Sequence, residues 1–129
     1  MNKIVLDTSA VLAYLFDETG ADKVAPILDS GAAVISSANY AETVSKLFDL
    51  KMPSAAIQET MDSLEMECIA LSEEQAFISG ELRLISKAFG LSLGDRACLA
   101  LGIEAQHPVY TADKAWAKVS TDCDVVLIR

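Results

Sequence analysis

The chain has 129 residues, 52% of them hydrophobic, and this length and composition predict one ordered domain, residues 1–129, and exclude a disordered chain. The formal net charge of −9 argues against broad, non-specific binding to duplex nucleic acid, and the single histidine excludes a metal site built on two histidines. No apolar run reaches the ~20 residues of a membrane span, and Asp7 comes too early for a signal-peptide core, so a cytoplasmic protein with no membrane partner is predicted.

Strand and helix segments alternate along the chain. Thr8 or Ser9 can cap the first helix. Ser72 and Gln75 have the spacing of a capping box, and Gly90 suits a left-handed helix end. In chain order we predict a strand over 3–7, helices over 9–16 and 20–30, a strand over 32–35, helices over 37–51 and 53–66, a strand over 68–71, helices over 72–89 and 94–106, a strand over 109–111, a short helix over 113–119 and a strand over 124–128. Five strands alternating with helices predict an α/β fold, a three-layer α/β/α sandwich with a mainly parallel five-stranded sheet.

Four acidic residues stand at a strand end or on the first turns of the next helix: Asp7, Glu42, Asp95 and Asp113. Neighbouring parallel strands end at one shared crevice, so these residues can meet there. Each pair of carboxylates at roughly 5 Å costs on the order of 3 kcal/mol at an effective dielectric of about 20, unless a cation lies between them. Mg²⁺, with Mn²⁺ as a substitute, prefers such oxygen ligands. The pattern predicts a metal-dependent enzyme acting on phosphate, in which the three aspartates bind metal and Glu42 ligates it or orients the attacking water.

Each of these residues also has a purely structural interpretation. The three aspartates begin helices, where a carboxylate accepts hydrogen bonds from free amides. Glu42 has no basic partner at i−4 or i+3, and a solvated helix face is its simplest alternative. Ser9 and Thr111 are candidates for hydrogen bonds to the metal ligands, with capping equally open for both. Arg96 and Lys114 follow two of the aspartates and are candidates for phosphate contact, with solvated surface cations as the alternative.

Apolar residues give further predictions. The first helix is apolar over residues 10–16, and with Tyr40, Leu47 and Phe48 it can form a groove for a partner helix or lie buried between its neighbours. Trp116 is predicted to lie in the core. The three cysteines have no Cys-x-x-Cys spacing and are predicted to be buried free thiols.

Four short motifs carry the acidic residues. They are Asp7-Thr8-Ser9, Asn39-Tyr40-Ala41-Glu42, Leu93-Gly94-Asp95-Arg96-Ala97-Cys98-Leu99-Ala100 and Thr111-Ala112-Asp113-Lys114-Ala115-Trp116. In this order and spacing the set resembles the PIN-domain family over almost the whole chain, and most closely its VapC-type toxin ribonucleases. The resemblance implies a Mg²⁺-dependent endoribonuclease that cleaves RNA as the toxin of a toxin–antitoxin pair, with a cognate antitoxin and a homodimer. A PIN-type RNA-processing nuclease without an antitoxin and a metal-poor PIN-like binding module remain the alternatives.

Overall fold

A five-stranded sheet lies at the centre of this computed structural model, which describes residues 2–129. All neighbouring strands are parallel, and their order across the sheet is β3-β2-β1-β4-β5. The strands are β1 (Ile4–Leu6), β2 (Ala33–Ser36), β3 (Glu67–Ile69), β4 (Val109–Thr111) and β5 (Val125–Leu127). Hydrophobic cores form on both faces of the sheet, and the predicted three-layer α/β fold with a parallel sheet is confirmed.

Helices connect the strands. The α-helices are α1 (Thr8–Leu15), α2 (Ala21–Asp29), α3 (Ser37–Asp49), α4 (Ser54–Ser63), α5 (Glu73–Glu81), α6 (Arg83–Ser86) and α7 (Leu93–Ala105), and two 3-10 helices cover Lys87–Phe89 and Lys114–Lys118. The crossovers through these helices make the parallel pairing of the strands possible. Within residues 2–129, no helix combines the length and hydrophobicity that crossing a membrane requires.

Two predicted helices differ from the structure. The helix predicted over 72–89 is divided into α5, α6 and a 3-10 helix, and the division follows Gly80, a residue that weakens a helix by roughly 0.5–1 kcal/mol relative to alanine. Ser72 Oγ accepts from the Gln75 amide at 3.1 Å, but the Gln75 side chain donates to Glu104 at 3.0 Å. Only half of the predicted capping box therefore forms. The short helix predicted over 113–119 is a 3-10 helix.

The sheet separates two hydrophobic cores. Alternate residues of a strand face opposite sides, so Val5 and Leu6 of β1 enter different cores. Trp116 is fully buried beside Val5, which confirms its predicted place in the core. Leu47 is buried in the other core, which decides for burial between the two alternatives that the sequence left open.

The strand order places the acidic segments at the carboxyl ends of the central strands. From β1 the chain passes to β2 on one side, and β4 later pairs with the other side of β1, so that Val5 lies between Val34 and Val109. Such a reversal of strand order opens a crevice at the carboxyl ends of the strands. Asp7 follows β1 and Asp113 follows β4, so both residues lie at this crevice.

The three cysteines are free thiols in different environments. Cys98 is buried and Cys123 half-buried, whereas Cys68 is exposed. The prediction of buried thiols is wrong for Cys68, because β3 is an edge strand with little packed over it.

Candidate active-site cleft

A cleft of about 590 Å³ opens at the carboxyl ends of β1 and β4. All four predicted acidic residues line it, so the topology brings together side chains that are far apart in the sequence. Its lining consists of Asp7, Thr8, Ser9, Leu12, Ala41, Glu42, Ser45, Lys46, Asp49, Asp95 and Asp113.

Asp7 is the most buried of the four acids, with 3% of its surface exposed. Its carboxylate accepts hydrogen bonds from Thr111 Oγ1 at 2.6 Å and from Ser9 Oγ at 2.8 Å. The Ala10 amide donates to it at 2.8 Å and makes Asp7 the cap of α1, so the predicted caps Thr8 and Ser9 are wrong. Burial raises the pKa of Asp7 from 3.8 to about 6, because these donors replace only part of the hydration that the charged form loses.

Ser9 and Thr111 connect Asp7 to the segment that carries Asp113. The Asp113 amide donates to Thr111 Oγ1 at 3.0 Å, and the Ala112 amide donates to Ser9 Oγ at 2.9 Å. Each hydroxyl has a single proton and donates it to Asp7, so both hydroxyls are oriented by their partners. The two side chains hold the ends of β1 and β4 in a fixed relation.

Glu42 lines the cleft from the second turn of α3. Its Oε1 accepts from Thr8 Oγ1 at 2.7 Å and from Asn39 Nδ2 at 2.8 Å. A Cβ atom at Gly94 would overlap the Glu42 carboxylate, so glycine lets the first turn of α7 pack against the carboxylate in its present position. These contacts fix the carboxylate between α1, α3 and α7.

Asp95 and Asp113 complete the acidic lining. Asp95 Oδ2 accepts from the Ser92 amide at 2.9 Å, and Ser92 Oγ accepts from the Asp95 amide at 3.2 Å, which together form a capping box at the start of α7. Burial raises the pKa of Asp95, and the charges of Glu42 and Asp113 raise it further. Asp113 is exposed, and its Oδ1 accepts from the Ala115 amide at 3.0 Å. Asp113 therefore caps its 3-10 helix, Asp95 completes the capping box that Ser92 begins, and both contribute charge to the cleft.

A family model described as the PIN domain matches residues 4–121. The chain belongs to the PIN-domain family. No curated protein sequence matches it.

Solved structures share this fold. A chain of the toxin–antitoxin complex from Klebsiella pneumoniae is 20% identical, with a TM-score of 0.75 and 98% of each chain covered. A chain of the DNA-bound VapBC complex from Salmonella typhimurium is 14% identical, with a TM-score of 0.74 and 100% of each chain covered. A chain of VapBC2 from Rickettsia felis, bound to a promoter DNA fragment, is 19% identical with a TM-score of 0.73, covering 95% of this chain and 96% of that one. These likenesses establish the fold.

The donor set of this PIN domain fits a hydrated divalent cation. Four carboxylates and the nearby hydroxyls provide hard oxygen ligands, and burial together with neighbouring charge raises the pKa of Asp7 and Asp95, a cost that a cation offsets. Within residues 2–129, no three acidic, histidine or cysteine side chains lie close enough to surround a bare ion. Mg²⁺ keeps several of its waters and binds few protein carboxylates directly, so these carboxylates would hold such an ion partly through its waters.

The basic residues near the site occupy three different environments. Arg96 is turned away from the cleft, because its Nη1 donates to the Ser79 carbonyl at 3.0 Å where α7 packs on α5. Lys114 is exposed and does not line the cleft. Lys46 does line it, and among the described lining residues it is the only cation. Its position at i+4 from Glu42 was the sequence signal that could have identified it.

An apolar groove of about 400 Å³ adjoins the cleft. It shares Ser9, Leu12, Lys46 and Asp49 with the cleft and extends along α1. Leu12, Phe16 and Leu50 provide its apolar surface, whereas the candidate groove residues Tyr40, Leu47 and Phe48 do not line it. Tyr40 and Leu47 pack into the core, whereas Phe48 is exposed outside the groove. The remaining groove residues are Glu18 and Arg129, which form an ion pair at 3.4 Å.

Proposed function

We propose that this PIN domain is a Mg²⁺-dependent endoribonuclease that acts in the cytoplasm as the toxin of a toxin–antitoxin pair. The observation that carries the proposal is the convergence of Asp7, Glu42, Asp95 and Asp113 on one open cleft. Carboxylates in such proximity repel one another, and a divalent cation removes that cost.

The chemistry divides between the ion and the protein. A bound Mg²⁺ supplies Lewis-acid stabilisation of the attacked phosphate and lowers the pKa of bound water. Asp7, Asp95 and Asp113 would hold the ion, directly or through water. Glu42 is anchored through Oε1, which leaves Oε2 to ligate the ion or orient the attacking water. Lys46 lies where it can bind a phosphate of the RNA strand.

The adjoining groove supports an antitoxin partner. Its apolar surface beside an acidic cleft suits an amphipathic helix followed by a basic segment, and the similar folds occur in chains of toxin–antitoxin complexes. If a small gene lies immediately upstream of this one, its product, produced together with the chain, should co-purify with it and inhibit cleavage. The RNA-processing alternative predicts no such inhibitor.

A homodimer is supported by an exposed apolar surface on α5 and α6. Leu84 is 88% exposed, Phe77 71% and Ile85 44%, and Leu84 and Ile85 line one surface pocket, so these apolar side chains offer a surface for association. Light scattering should give the mass of two chains for the wild type and of one chain for Leu84→Glu. A monomeric wild-type protein would contradict this assignment.

RNA cleavage tests the enzymatic proposal. The purified chain should cleave a structured RNA in Mg²⁺ or Mn²⁺ and lose this activity in EDTA, and cleavage that persists under chelation would refute the metal mechanism. Calorimetric titration with Mn²⁺ separates the nuclease from the binding-module alternative. Absence of binding at millimolar Mn²⁺ would favour the module.

A further inference from the structure

Asn39 lies beneath the cleft, one turn before Glu42 on α3, with 1% of its surface exposed. The two protons of its Nδ2 are shared among three acceptors, Glu42 Oε1 at 2.8 Å, the Gly94 carbonyl at 3.2 Å and Thr8 Oγ1 at 3.3 Å. All three atoms accept, so the partners fix the orientation of the amide. Turning it would place Oδ1 against a carboxylate and a carbonyl oxygen.

Capping of α3 does not account for this buried amide. Burial of a polar group costs free energy unless it is hydrogen-bonded, and Asn39 Oδ1 has no partner among residues 2–129. The start of α3 does not need the side chain, because Ser36 Oγ accepts from the Ala38 amide and caps the helix. The contact that offsets the unpartnered oxygen is the bond to Glu42, the shortest of the three.

The bond determines which oxygen of Glu42 is available. Thr8 and Asn39 both donate to Oε1, and no donor among the described residues reaches Oε2. The missing Cβ of Gly94 lets α7 press against the same carboxylate. Oε1 of Glu42 is therefore held by two hydrogen bonds, whereas Oε2, the carboxylate atom nearest to Gly94, accepts none from the described residues that surround this part of the cleft.

We propose that Asn39 is a positioning residue for Glu42. Together with Thr8, its amide fixes Oε1 so that Oε2 meets a bound divalent cation, or a water on it, in one orientation. Asn39 does not line the cleft and acts only through Glu42. The inference rests on the proposed function, because the cation belongs to it.

The test compares two variants of Asn39 with the control Thr43→Val. Asn39→Ala removes the side chain beyond Cβ, and Asn39→Leu removes the amide but keeps most of the side-chain volume. Thr43 is fully buried one turn later on α3, and its hydroxyl donates to the Asn39 carbonyl at 2.8 Å, so it is a matched buried control. Mn²⁺ affinity is measured by calorimetry, and the hydrogen bonding of Glu42 by the carbon-13 resonance of its carboxyl group in metal-free protein. Both Asn39 variants should bind Mn²⁺ about 10–100-fold more weakly and lower kcat with KM unchanged. Thr43→Val should keep the wild-type affinity and resonance.

Wild-type Mn²⁺ affinity in folded Asn39→Leu protein would overturn the proposal, and so would an unchanged Glu42 resonance. A wild-type protein that binds no Mn²⁺ refutes the proposed function instead. The carbon-13 resonance of the Glu42 carboxyl group in metal-free wild type and variants then decides alone whether Asn39 positions Glu42. One further measurement needs no Asn39 variant. The side-chain amide protons of Asn39 should shift in Glu42→Gln, and an unchanged amide resonance would overturn the proposal.

Discussion

The stability of Asp7→Asn in metal-free protein tests whether burial raises the pKa of Asp7. Asp7 has a folded pKa of about 6 against an ordinary value of 3.8. The folded state therefore binds more protons than the unfolded state between these values, and stability rises as the pH falls. A pKa difference of about 2 corresponds to about 3 kcal/mol, the cost of ionised Asp7 to the folded protein at pH 7.5.

The substitution removes the free-energy cost of ionised Asp7 and introduces a smaller cost from lost hydrogen bonds. Asparagine can accept from the Ala10 amide, but its own amide faces hydroxyls that donate to Asp7 in the wild type, a loss of about 1 kcal/mol. Asp7→Asn should therefore be more stable than the wild type at pH 7.5, by about 2 kcal/mol. Between pH 7.5 and pH 5 the wild type should regain about 1.4 kcal/mol relative to the variant.

Urea unfolding in EDTA, followed by the fluorescence of the single, buried Trp116, measures both values. Asp124→Asn removes an exposed acid outside the cleft and serves as the control. If the difference between Asp7→Asn and wild type is the same at pH 5 and pH 7.5, the argument that burial raises the pKa of Asp7 is refuted.

Two further substitutions change residues on the side of the cleft that Glu42 lines. Gly94→Ala should displace the Glu42 carboxylate, lower RNA cleavage at least tenfold and destabilise the protein by about 1–3 kcal/mol in urea unfolding, although alanine is the better helix former. Unchanged cleavage and stability would contradict the packing of α7 on Glu42. Lys46→Gln should raise KM for RNA several-fold at unchanged kcat, with a smaller effect at high salt. A KM equal to that of the wild type would exclude phosphate contact by Lys46.

The fold was predictable because local signals agree with the tertiary structure. The apolar run before Asp7 forms β1. The polar residues between the apolar segments lie close to the observed ends of most helices and strands. The meeting of four acidic residues followed from parallel strands that end at one edge. These inferences need only the order of the elements and the period of their hydrophobic residues.

Side-chain directions were less predictable, because they depend on which helices pack together. Arg96 follows Asp95 in the sequence, yet it points to α5, since that face of α7 is covered. Cys68 is exposed because β3 became an edge strand, which the sequence of the segment does not reveal. The contact of Asn39 with Gly94 joins two helices that are far apart in the chain. Only the three-dimensional arrangement shows it.

The most direct test of the central claim is the rate of RNA cleavage in Mg²⁺ by Asp95→Asn, compared with wild type and Asp124→Asn. Asparagine at position 95 can still accept from the Ser92 amide and cap α7, so it removes the charge while it retains the cap. If Asp95 binds the metal, the rate should fall by orders of magnitude at unchanged or higher thermal stability, while Asp124→Asn keeps the wild-type rate. An Asp95→Asn protein as active as Asp124→Asn would show that Asp95 is only a helix cap and would contradict the proposed metal site.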